Sequence, residues 1–386
     1  MTDLALLSVP ALKKKTDRLI FGNLLGSSQA LAISESAKQQ ASPLILIVND
    51  TPTALKLRQE LEFFVEDELE LVTFPDWETL PYDNFSPHQD IISNRIETLY
   101  KLPHLKNAIL IVPISTLLLR IAPPSYLKQH TLIIKNKQKI ELQALRADLQ
   151  EAGYYAVEQV MEHGEFCARG SLLDIYPMGS DTPYRIDFFD DEIDSIRPFD
   201  SESQRSLKAI SEIKLLPAHE FATDKEAIKR FKVQFTHKFT SPLSTGKDSI
   251  FQQISQHNLP AGIEYYLPLF FADTASLFDY FPSDARLAIA GDINQACSDF
   301  WQTISARYQE KSVDLFRPLL PPEELYLRHE QCFELINQWP RYDFRTQAFE
   351  QTKNAKQNCA IQPIPDIQIE HNKNAPLKKL QQFIKN

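Results

Sequence analysis

The feature that most constrains the fold is an alternation of short apolar runs with amphipathic stretches. The run LILIV at 44–48 precedes a segment, 57–65, whose apolar residues recur at the spacing of one helical face. A strand-like stretch at 69–74 and an amphipathic stretch at 92–99 follow, and AILIV at 108–112 is a further buried strand. Apolar strands that alternate with amphipathic helices are typical of a parallel sheet, so the sequence predicts an α/β fold.

The pattern changes near residue 120. After this point TLII at 131–134 predicts a strand, 141–150 predicts a helix with leucines inward, and 165–199 is dense in β-type residues and turns. A mixture of short strands and one helix within a limited span indicates a smaller α+β unit.

Helices and apolar strands return after about residue 210. LAIAGD at 287–292 predicts a buried strand and turn, whereas 345–386 is rich in Lys, Asn, Gln and Pro and reads as a linker. The stretch APLKKLQQFIKN then predicts the start of a helix. Because the chain stops within that helix signal, we expect it to be part of a longer protein.

Composition excludes several classes of protein. At 386 residues, and at about 150 residues per domain, the chain is long enough for two or three domains. A net charge of −10 argues against a free-standing DNA-binding protein. The sequence predicts neither a membrane span nor a signal peptide. The 4 cysteines form no C-x-x-C pair and the 9 histidines no H-E-x-x-H, so we expect no metal site, and reduced thiols in the cytoplasm.

The stretch RLIFGNLLGSSQALAISES at 18–36 has the outline of a strand, a phosphate loop and a helix. Gly22 and Gly26 would let backbone N–H groups approach phosphates, but such a loop also needs a lysine and a Ser or Thr for magnesium. No lysine follows within the loop. The residues alone therefore predict a tight turn before a helix that Ser27 or Ser28 caps.

The segment PYRIDFFDDEIDSIRPFD predicts a strand with two different faces. Alternation places Ile186 and Phe188 on a core face. Arg185, Asp187 and Phe189 share the other face. An arginine, a carboxylate and an aromatic side chain together are typical of an interface, but a solvated Arg–Asp pair with Phe189 folded under a loop fits the same pattern. The neighbouring carboxylates favour a protein partner over DNA.

Three segments closely resemble the bacterial transcription-repair coupling factors, the Mfd family. They are DWETLPYDNFSPHQDIISNRIETLYKLP (76–103), VMEHGEFCARGSLLDIYPMGSDTPYRIDFFDDEIDSIRPFDSESQRS (160–206) and LPAGIEYYLPLFFADTASLFDYFP (259–282). The resemblance runs along essentially the whole chain and covers the N-terminal third of the family's usual length.

The resemblance implies a module similar to the excision-repair protein UvrB, with an inserted domain that docks onto UvrA. We therefore predict a split P-loop-like parallel-sheet domain with a smaller inserted α+β domain, then a linker and a partial further domain. The predicted parts are 1–120 (UvrB-like α/β domain, first part), 121–210 (inserted UvrA-binding domain), 211–340 (second part of the α/β domain) and 341–386 (linker and start of a truncated domain).

For function, the resemblance implies recruitment of UvrA, in nucleotide excision repair, to a stalled RNA polymerase. The intact family protein is a helicase-type, ATP-dependent DNA translocase that displaces the polymerase. Its motor domains, with ATP and magnesium, and its contacts to RNA polymerase and duplex DNA would lie beyond residue 386. We thus expect this chain to be no enzyme and to hold no cofactor. The family also suggests that a C-terminal domain masks the UvrA-docking face until the motor engages.

The resemblance assigns site residues as well. The UvrA-binding residues would be Arg169, Arg185, Asp187 and Phe189, whereas Cys167 stands where UvrB-like sequences often have a second arginine.

In the UvrB relatives a working G-x-x-x-x-G-K-[ST] loop occupies the position of residues 22–30. Gln29 and Ala30 mark where lysine and threonine would stand, and Gly291–Asn294 lacks the paired acids of a DE-x-H motif. We expect no catalytic residue, since the charge stabilisation that phosphoryl transfer needs is missing. The relatives' tyrosine-rich hairpin is also not apparent, because Tyr82 is the only tyrosine between Phe74 and Asp90. The alternatives are a UvrB-like ATPase with an atypical phosphate loop and direct DNA binding.

Overall fold

The computed structural model describes residues 7–65, 69–350, 355–363 and 377–385, with the single positions 367 and 375. Its strands are β1 (Arg18–Gly22), β2 (Leu44–Val48), β3 (Glu70–Thr73), β4 (Ala108–Pro113), β5 (Leu132–Lys135), β6 (Tyr155–Ala156), β7 (Glu165–Arg169), β8 (Leu172–Ile175), β9 (Tyr184–Phe189), β10 (Glu192–Pro198), β11 (Glu212–Leu215), β12 (Arg286–Ala290), β13 (Arg341–Phe344) and β14 (Lys356–Asn358).

Its α-helices are α1 (Ser28–Lys38), α2 (Thr51–Phe64), α3 (Gln89–Lys101), α4 (Ile114–Leu117), α5 (Pro124–His130), α6 (Leu142–Glu151), α7 (Lys225–Lys238), α8 (Ile250–Ser255), α9 (Ile293–Lys311), α10 (Pro322–Leu325), α11 (His329–Ile336) and α12 (Lys378–Lys385). Short 3-10 helices are Leu102–His104, Pro242–Thr245, Ile263–Phe270 and Leu277–Tyr280.

A parallel sheet forms the larger part of the molecule. Within the described residues its strand order is β14-β1-β13-β12-β2-β4-β3, and every neighbouring pair is parallel. Strands β2, β4, β12 and β13 are buried at every residue. A strand is buried along its whole length when helices cover both faces of its sheet. The predicted α/β class is confirmed.

The helices divide between the two faces of this sheet. Helices α1 and α2 pack against one face, where Leu46 of β2 and Ala288 of β12 point. Helices α3 and α9 pack against the other face, where Ile47 and Ile289 point. Strands β2 and β12 are neighbours, yet the helices that follow them lie on opposite faces. The sheet therefore has a topological switch point between β2 and β12.

The segment between α5 and α7 forms two separate sheets. One has the order β10-β9-β8-β7-β6 and is antiparallel except for the β6–β7 pair, and the other is the antiparallel ribbon β11–β5. Because β5 opens the segment and β11 ends it, the ribbon brings both ends together and crosses the predicted boundary at 210/211. The buried side chains of this segment are continuous with one face of the parallel sheet. The four predicted domain ranges remain a prediction.

The interpretation of 341–386 as a linker differs from the structure at β13 and β14. Strand β13 lies between β1 and β12, and β14 is the edge strand beside β1. The sequence did not predict β13 because two of the four residues of RYDF are charged, so this stretch lacks the continuous apolar run that is typical of a buried strand. Asp343 is buried between two arginines. Arg18 Nη2 lies 2.6 Å from Asp343 Oδ2, and Arg341 Nε lies 3.3 Å from Asp343 Oδ1. Helix α12 agrees with the predicted helix start, whereas residues 351–354, 364–366, 368–374, 376 and 386 of this range lie outside the described residues.

A buried charge network joins α3 to the chain that follows β11. The Arg95 side chain is fully buried, and its Nε donates to Glu220 Oε1 at 2.9 Å. Trp77 Nε1 donates to the other carboxylate oxygen at 2.8 Å, and the guanidinium lies 4.2 Å from the centre of the Phe74 ring. A buried pair of this kind is strongly destabilised when one partner is removed, because the other charge is left uncompensated.

A second buried carboxyl group, Glu264, forms no ion pair with any of the described residues. It is 6% exposed, and it accepts a hydrogen bond from Ser86 Oγ at 2.8 Å. Burial raises the pKa of Glu264 from 4.5 to about 7, because the charged form is poorly solvated there. The carboxyl group of the folded protein thus stays protonated to a higher pH than that of the unfolded chain.

We predict that Glu264→Gln stabilises the protein at alkaline pH. Between pH 4.5 and 7 the unfolded chain loses this proton while the folded protein retains it, so stability falls as pH rises through this window and the loss is constant above it. A neutral amide removes that loss. In urea unfolding at pH 8 we expect a gain of roughly 1 to 3 kcal/mol, and a much smaller gain at pH 5.

The matched control is Glu202→Gln, which changes an exposed carboxylate. It should leave stability unchanged at both pH values. A destabilised Glu264→Gln protein at pH 8, or equal gains at pH 5 and pH 8, would contradict this assignment.

Candidate functional site

The four-stranded part of the inserted sheet, β7 to β10, carries the predicted binding residues. Directly opposed residues on neighbouring strands share a face, so the register defines rows across the sheet. One row is Cys167, Asp174, Arg185 and Arg197, and the next is Arg169, Leu172, Asp187 and Ser195. Arg169, Arg185 and Asp187 therefore lie on one face, as strand alternation predicts for the last two. We call this surface, together with Phe189, the β7–β10 face.

Arg185 is held by a carboxylate on the neighbouring strand. Its Nε lies 2.7 Å from Asp174 Oδ1 and its Nη2 lies 2.8 Å from Oδ2, which is a bidentate pair. This hydrogen bonding raises the pKa of Arg185 above its ordinary value. The guanidinium also lies 4.8 Å from the centre of the Phe199 ring. The partner of Arg185 is thus Asp174 across the strands, and not Asp187 along its own strand as in the alternative interpretation of a solvated Arg–Asp pair.

Asp187 and Arg169 are oriented by other neighbours. Asp187 Oδ2 accepts a hydrogen bond from Ser195 Oγ at 2.7 Å and lies 3.9 Å from Arg197 Nη1. Arg169 is exposed; its Nε donates to Cys167 Sγ at 3.2 Å, and its Nη2 donates to the carbonyl of Glu158. These bonds orient both side chains on the face.

Cys167 lies on this same face, but its side chain is covered. It is 6% exposed and packs with Val160 and Phe199 in a small apolar cluster. This cluster supports the outer side of the sheet, and the thiol is part of the support rather than of the accessible surface.

Phe189 lies at the tip of the β9–β10 hairpin. Its side chain is 79% exposed, directly before a turn in which Asp190 has a φ of +59°. The interpretation in which Phe189 is folded under a loop is therefore wrong. A large exposed aromatic side chain beside oriented charged groups suits the anchor-and-rim arrangement of protein interfaces.

The strand, loop and helix outline at residues 18–36 is confirmed, because β1 leads through a short loop into α1. The predicted serine cap is wrong: Ser27 at the N-cap position makes no capping hydrogen bond, and Ser28 Oγ donates backwards to the carbonyl of Leu25 at 2.7 Å. Gln29 Nε2 donates to the carbonyl of Phe344 at 3.1 Å, and Ala30 is fully buried. Both side chains thus serve packing between α1 and β13.

The chain that follows β13 covers this loop. We call residues 345–350 and 355–361 the covering segment. The backbone N–H of Asn23 donates to the carbonyl of Gln347 at 3.0 Å, and that of Leu24 donates to Arg345 at 3.1 Å. Asn23 Nδ2 also donates to the carbonyls of residues 359 and 361, both at 2.9 Å. Two backbone donors at the start of the loop are therefore bound to the protein itself.

Gly22 shows how closely the covering segment approaches. A Cβ at this position would lie 2.7 Å from Asn358 Oδ1 and 2.8 Å from the carbonyl oxygen of Gln347. Only a glycine permits this packing. In the sequence Gly22 suggests a phosphate loop. In the structure its lack of a side chain lets the covering segment approach the backbone of β1 closely.

The acidic position after β12 and the remaining tyrosine also have structural roles. Asp292 caps α9, where its Oδ1 accepts from the N–H of Gln295 at 3.2 Å. Tyr82 is 1% exposed and donates to the carbonyl of Leu320 at 2.9 Å. Among the described residues, no group of three His, Cys, Asp or Glu side chains is arranged to hold a metal ion.

None of the helices in the described ranges has the length and apolar character needed to cross a membrane.

Comparison with known proteins identifies relatives along most of the chain. The UvrB interaction domain family matches residues 132–221, which contain β5 to β11 and the whole β7–β10 face. The chain is 45% identical to the transcription-repair-coupling factor of Escherichia coli over 372 residues, 96% of this chain and 32% of that protein. It is 44% identical to the factor of Haemophilus influenzae, over 95% of this chain and 32% of the relative.

More distant relatives carry the same name. Over 70% of its own length, this chain is 27% identical to the transcription-repair-coupling factor of Bacillus subtilis. The chain spans about a third of the length of the first two relatives. The resemblance drawn from the three sequence segments is confirmed.

We predict that neither this chain nor its Gln29→Lys variant binds a fluorescent ATP analogue with magnesium. The added lysine supplies one charge, but the N–H groups of Asn23 and Leu24 stay bound to the covering segment. Fluorescence anisotropy measures binding, with a P-loop ATPase as the positive control. Saturable, magnesium-dependent binding by the variant would show that the loop opens and would contradict the assignment of the covering segment.

Proposed function

The chain is a relative of the transcription-repair-coupling factors along nearly all of its own length, and from this relationship we propose that it is their UvrA-recruiting part. In an intact protein of this family it would correspond to the N-terminal module. Its binding of UvrA would bring nucleotide excision repair to a stalled RNA polymerase. The observation that carries the proposal is the exposed Phe189 on a charged face inside the matched UvrB interaction domain.

The β7–β10 face supports a protein partner through a division of roles. Phe189 offers a large apolar surface at the rim of the sheet, and an exposed ring of this size is the usual anchor of a binding hot spot. Arg185 is fixed by Asp174, so little of its conformational freedom is lost on binding. Its Nη1, which makes only a 3.4 Å hydrogen bond to the carbonyl of Gln204, is the edge that can meet a partner's acceptor.

We propose that this part of the protein hydrolyses no ATP. Support comes from the side chains of Gln29 and Ala30, which pack against the fold, and from the covering segment over the loop. ATP, magnesium, RNA polymerase and duplex DNA would be bound by the two thirds of the relatives' length that this chain does not cover. A cytoplasmic location is part of the same proposal.

Direct DNA binding by this chain is less favoured. The net charge is −10, and two arginines of the β7–β10 face, Arg185 and Arg197, are paired with carboxylates, which reduces the positive field available to phosphates. Retention on duplex DNA that falls steeply with salt would be the signature of that alternative.

We predict that Phe189→Ala and Arg185→Ala each weaken binding of purified UvrA by at least about 1 to 2 kcal/mol. The first removes the exposed anchor, and the second removes the oriented guanidinium. Arg185→Lys should not restore affinity, because an ammonium cannot form the bidentate pair with Asp174 that sets the orientation. Isothermal titration calorimetry measures the affinity.

Two matched controls lie outside the β7–β10 face. Val233→Ala removes an exposed apolar side chain from α7, and Arg58→Ala removes an exposed arginine from α2. Both should bind UvrA like the unaltered chain. If Phe189→Ala and Arg185→Ala also kept full affinity, the assignment of this face would be wrong.

We also predict that this chain binds UvrA constitutively and that the separately produced C-terminal domain of an intact relative competes with UvrA for the β7–β10 face. A direct titration in the presence of saturating C-terminal domain should show a reduced apparent affinity. Unchanged affinity under those conditions would remove the support for masking.

A further inference from the structure

A cavity of about 200 Å³ lies where β6 meets the start of α3. Residues between 86 and 92, Tyr155, residues 219–221 and residues between 259 and 264 line it, whereas the described residues of the β7–β10 face are not part of this lining. The space is several times the roughly 30 Å³ that one water molecule occupies in the liquid, so it can admit one side chain or one small ring.

The wall of this cavity is largely apolar. Small-molecule sites are typically built in this way, with an apolar lining that binds the body of the ligand and a few polar groups that fix its orientation. A ligand of this cavity therefore needs a compact apolar part. The apolar and aromatic members of the wall are Ile92, Phe221, Leu259, Ile263 and the half-exposed Tyr155.

The Glu264 carboxyl group is the polar group that the protein positions most closely at this wall. The backbone N–H of Gly262 donates to Ser86 Oγ at 2.9 Å, and Ser86 Oγ donates to Glu264 Oε2 at 2.8 Å. Ser86 and Tyr155 both line the cavity as well. Burial, and then the Glu264 carboxylate, raises the pKa of the Tyr155 hydroxyl, so the carboxyl and phenol groups lie near each other.

The proton of this carboxyl group needs an acceptor. With its pKa of about 7, Glu264 is protonated in much of the folded protein at neutral pH. The hydroxyl proton of Ser86 is directed at Oε2, so the carboxyl proton belongs on Oε1. In the part of the chain that the structure describes, Ser86 is the only side chain that hydrogen-bonds this carboxyl group. A buried donor without an acceptor is unfavourable, so a ligand that brings a carbonyl group would relieve it.

The other ionisable groups around the cavity bring no free charge to it. Burial lowers the pKa of His219 to about 4, so its imidazole is neutral at physiological pH. Glu220 is paired with Arg95, whose Nε donates to it at 2.9 Å. Arg317 lies outside the lining and favours the charged form of Glu264 less than burial disfavours it. A neutral ligand is therefore favoured over an anion or a cation.

We propose that this cavity binds a primary carboxamide carried on a compact apolar body. The two groups are complementary, because the amide carbonyl accepts from the Oε1–H of Glu264 while the amide N–H donates to Oε2, which gives two parallel hydrogen bonds. The apolar body packs on the wall. The carboxamide can come from a free aromatic amide or from a glutamine or asparagine side chain of a polypeptide. This inference does not rest on UvrA binding.

The test is titration of the whole chain with nicotinamide and, separately, with N-acetyl-glutamine N-methylamide, followed by saturation-transfer NMR. We expect saturable binding at millimolar concentration at pH 6 for at least one of them. Binding of nicotinamide alone identifies a free aromatic amide as the source, and binding of the capped glutamine identifies a side chain. Nicotinic acid, whose carboxylate replaces the amide, should not bind.

The pH dependence tests the role of the carboxyl proton. Binding should weaken about tenfold between pH 6 and pH 8, because the protonated fraction of a group with a pKa of about 7 falls by that factor. Glu264→Gln retains a donor and an acceptor and cannot ionise, so it should bind equally at both pH values. Glu264→Leu removes both hydrogen bonds and should abolish binding.

Two control variants lie outside the cavity. Glu202→Gln changes an exposed carboxylate and should keep the affinity and pH dependence of the unaltered chain. Phe189→Ala should also have no effect, so failure here and failure of the proposed UvrA binding are distinguishable.

The proposal is overturned if neither amide binds saturably at pH 6. It is equally overturned if the unaltered chain binds with the same affinity at pH 6 and pH 8, or if Glu264→Leu binds as well as Glu264→Gln. Circular dichroism of each variant verifies that the fold is retained, and the pH comparison between the unaltered chain and Glu264→Gln decides the question without the leucine variant.

Discussion

The parallel sheet depends on the buried carboxylate of Asp343 in β13 and on its two arginine partners. This strand lies between β1 and β12, so the N-terminal strand joins the rest of the sheet only through residues that come more than three hundred positions later. Asp343 is fixed there by Arg18 on the neighbouring strand and by Arg341 on its own strand. Burial of Asp343 without these arginines would be strongly unfavourable, and the arginines would lose their counter-charge. Strand β13 thus completes the sheet between β1 and β12, and the chain that follows it covers the loop after β1.

Much of the fold could be predicted because its signals are local. LILIV and AILIV are continuous apolar runs, and their burial on both faces is what a parallel sheet requires. The alternation in YRIDFF likewise separates a core face from an outer face within six residues. What could not be predicted depends on residues far apart in the chain. RYDF reads as polar until Arg18 is placed beside it, and nothing near Arg185 in the sequence identifies Asp174, on another strand, as its partner.

The β7–β10 face combines held and projecting groups. Arg185 and Asp187 are held by hydrogen bonds to Asp174 and Ser195 on neighbouring strands. Arg169 instead bonds to Cys167 on its own strand and to the carbonyl of Glu158, and Phe189 extends from the hairpin tip. A sheet surface with one projecting ring suits a large partner.

The pairing of β14 with β1 has a mechanical consequence. The two strands are parallel, with Ile20 opposite Lys356 and Gly22 opposite Asn358, so the chain enters β1 at one end of the pair and leaves β14 at the other. Tension between these two ends pulls the strands along their length in opposite directions. The hydrogen bonds from Ile20 N to the residue 355 carbonyl and from Cys359 N to Gly22 are then loaded in shear and must break together rather than one at a time. The covering segment therefore resists a pull along the chain far better than a hairpin edge that could be peeled open.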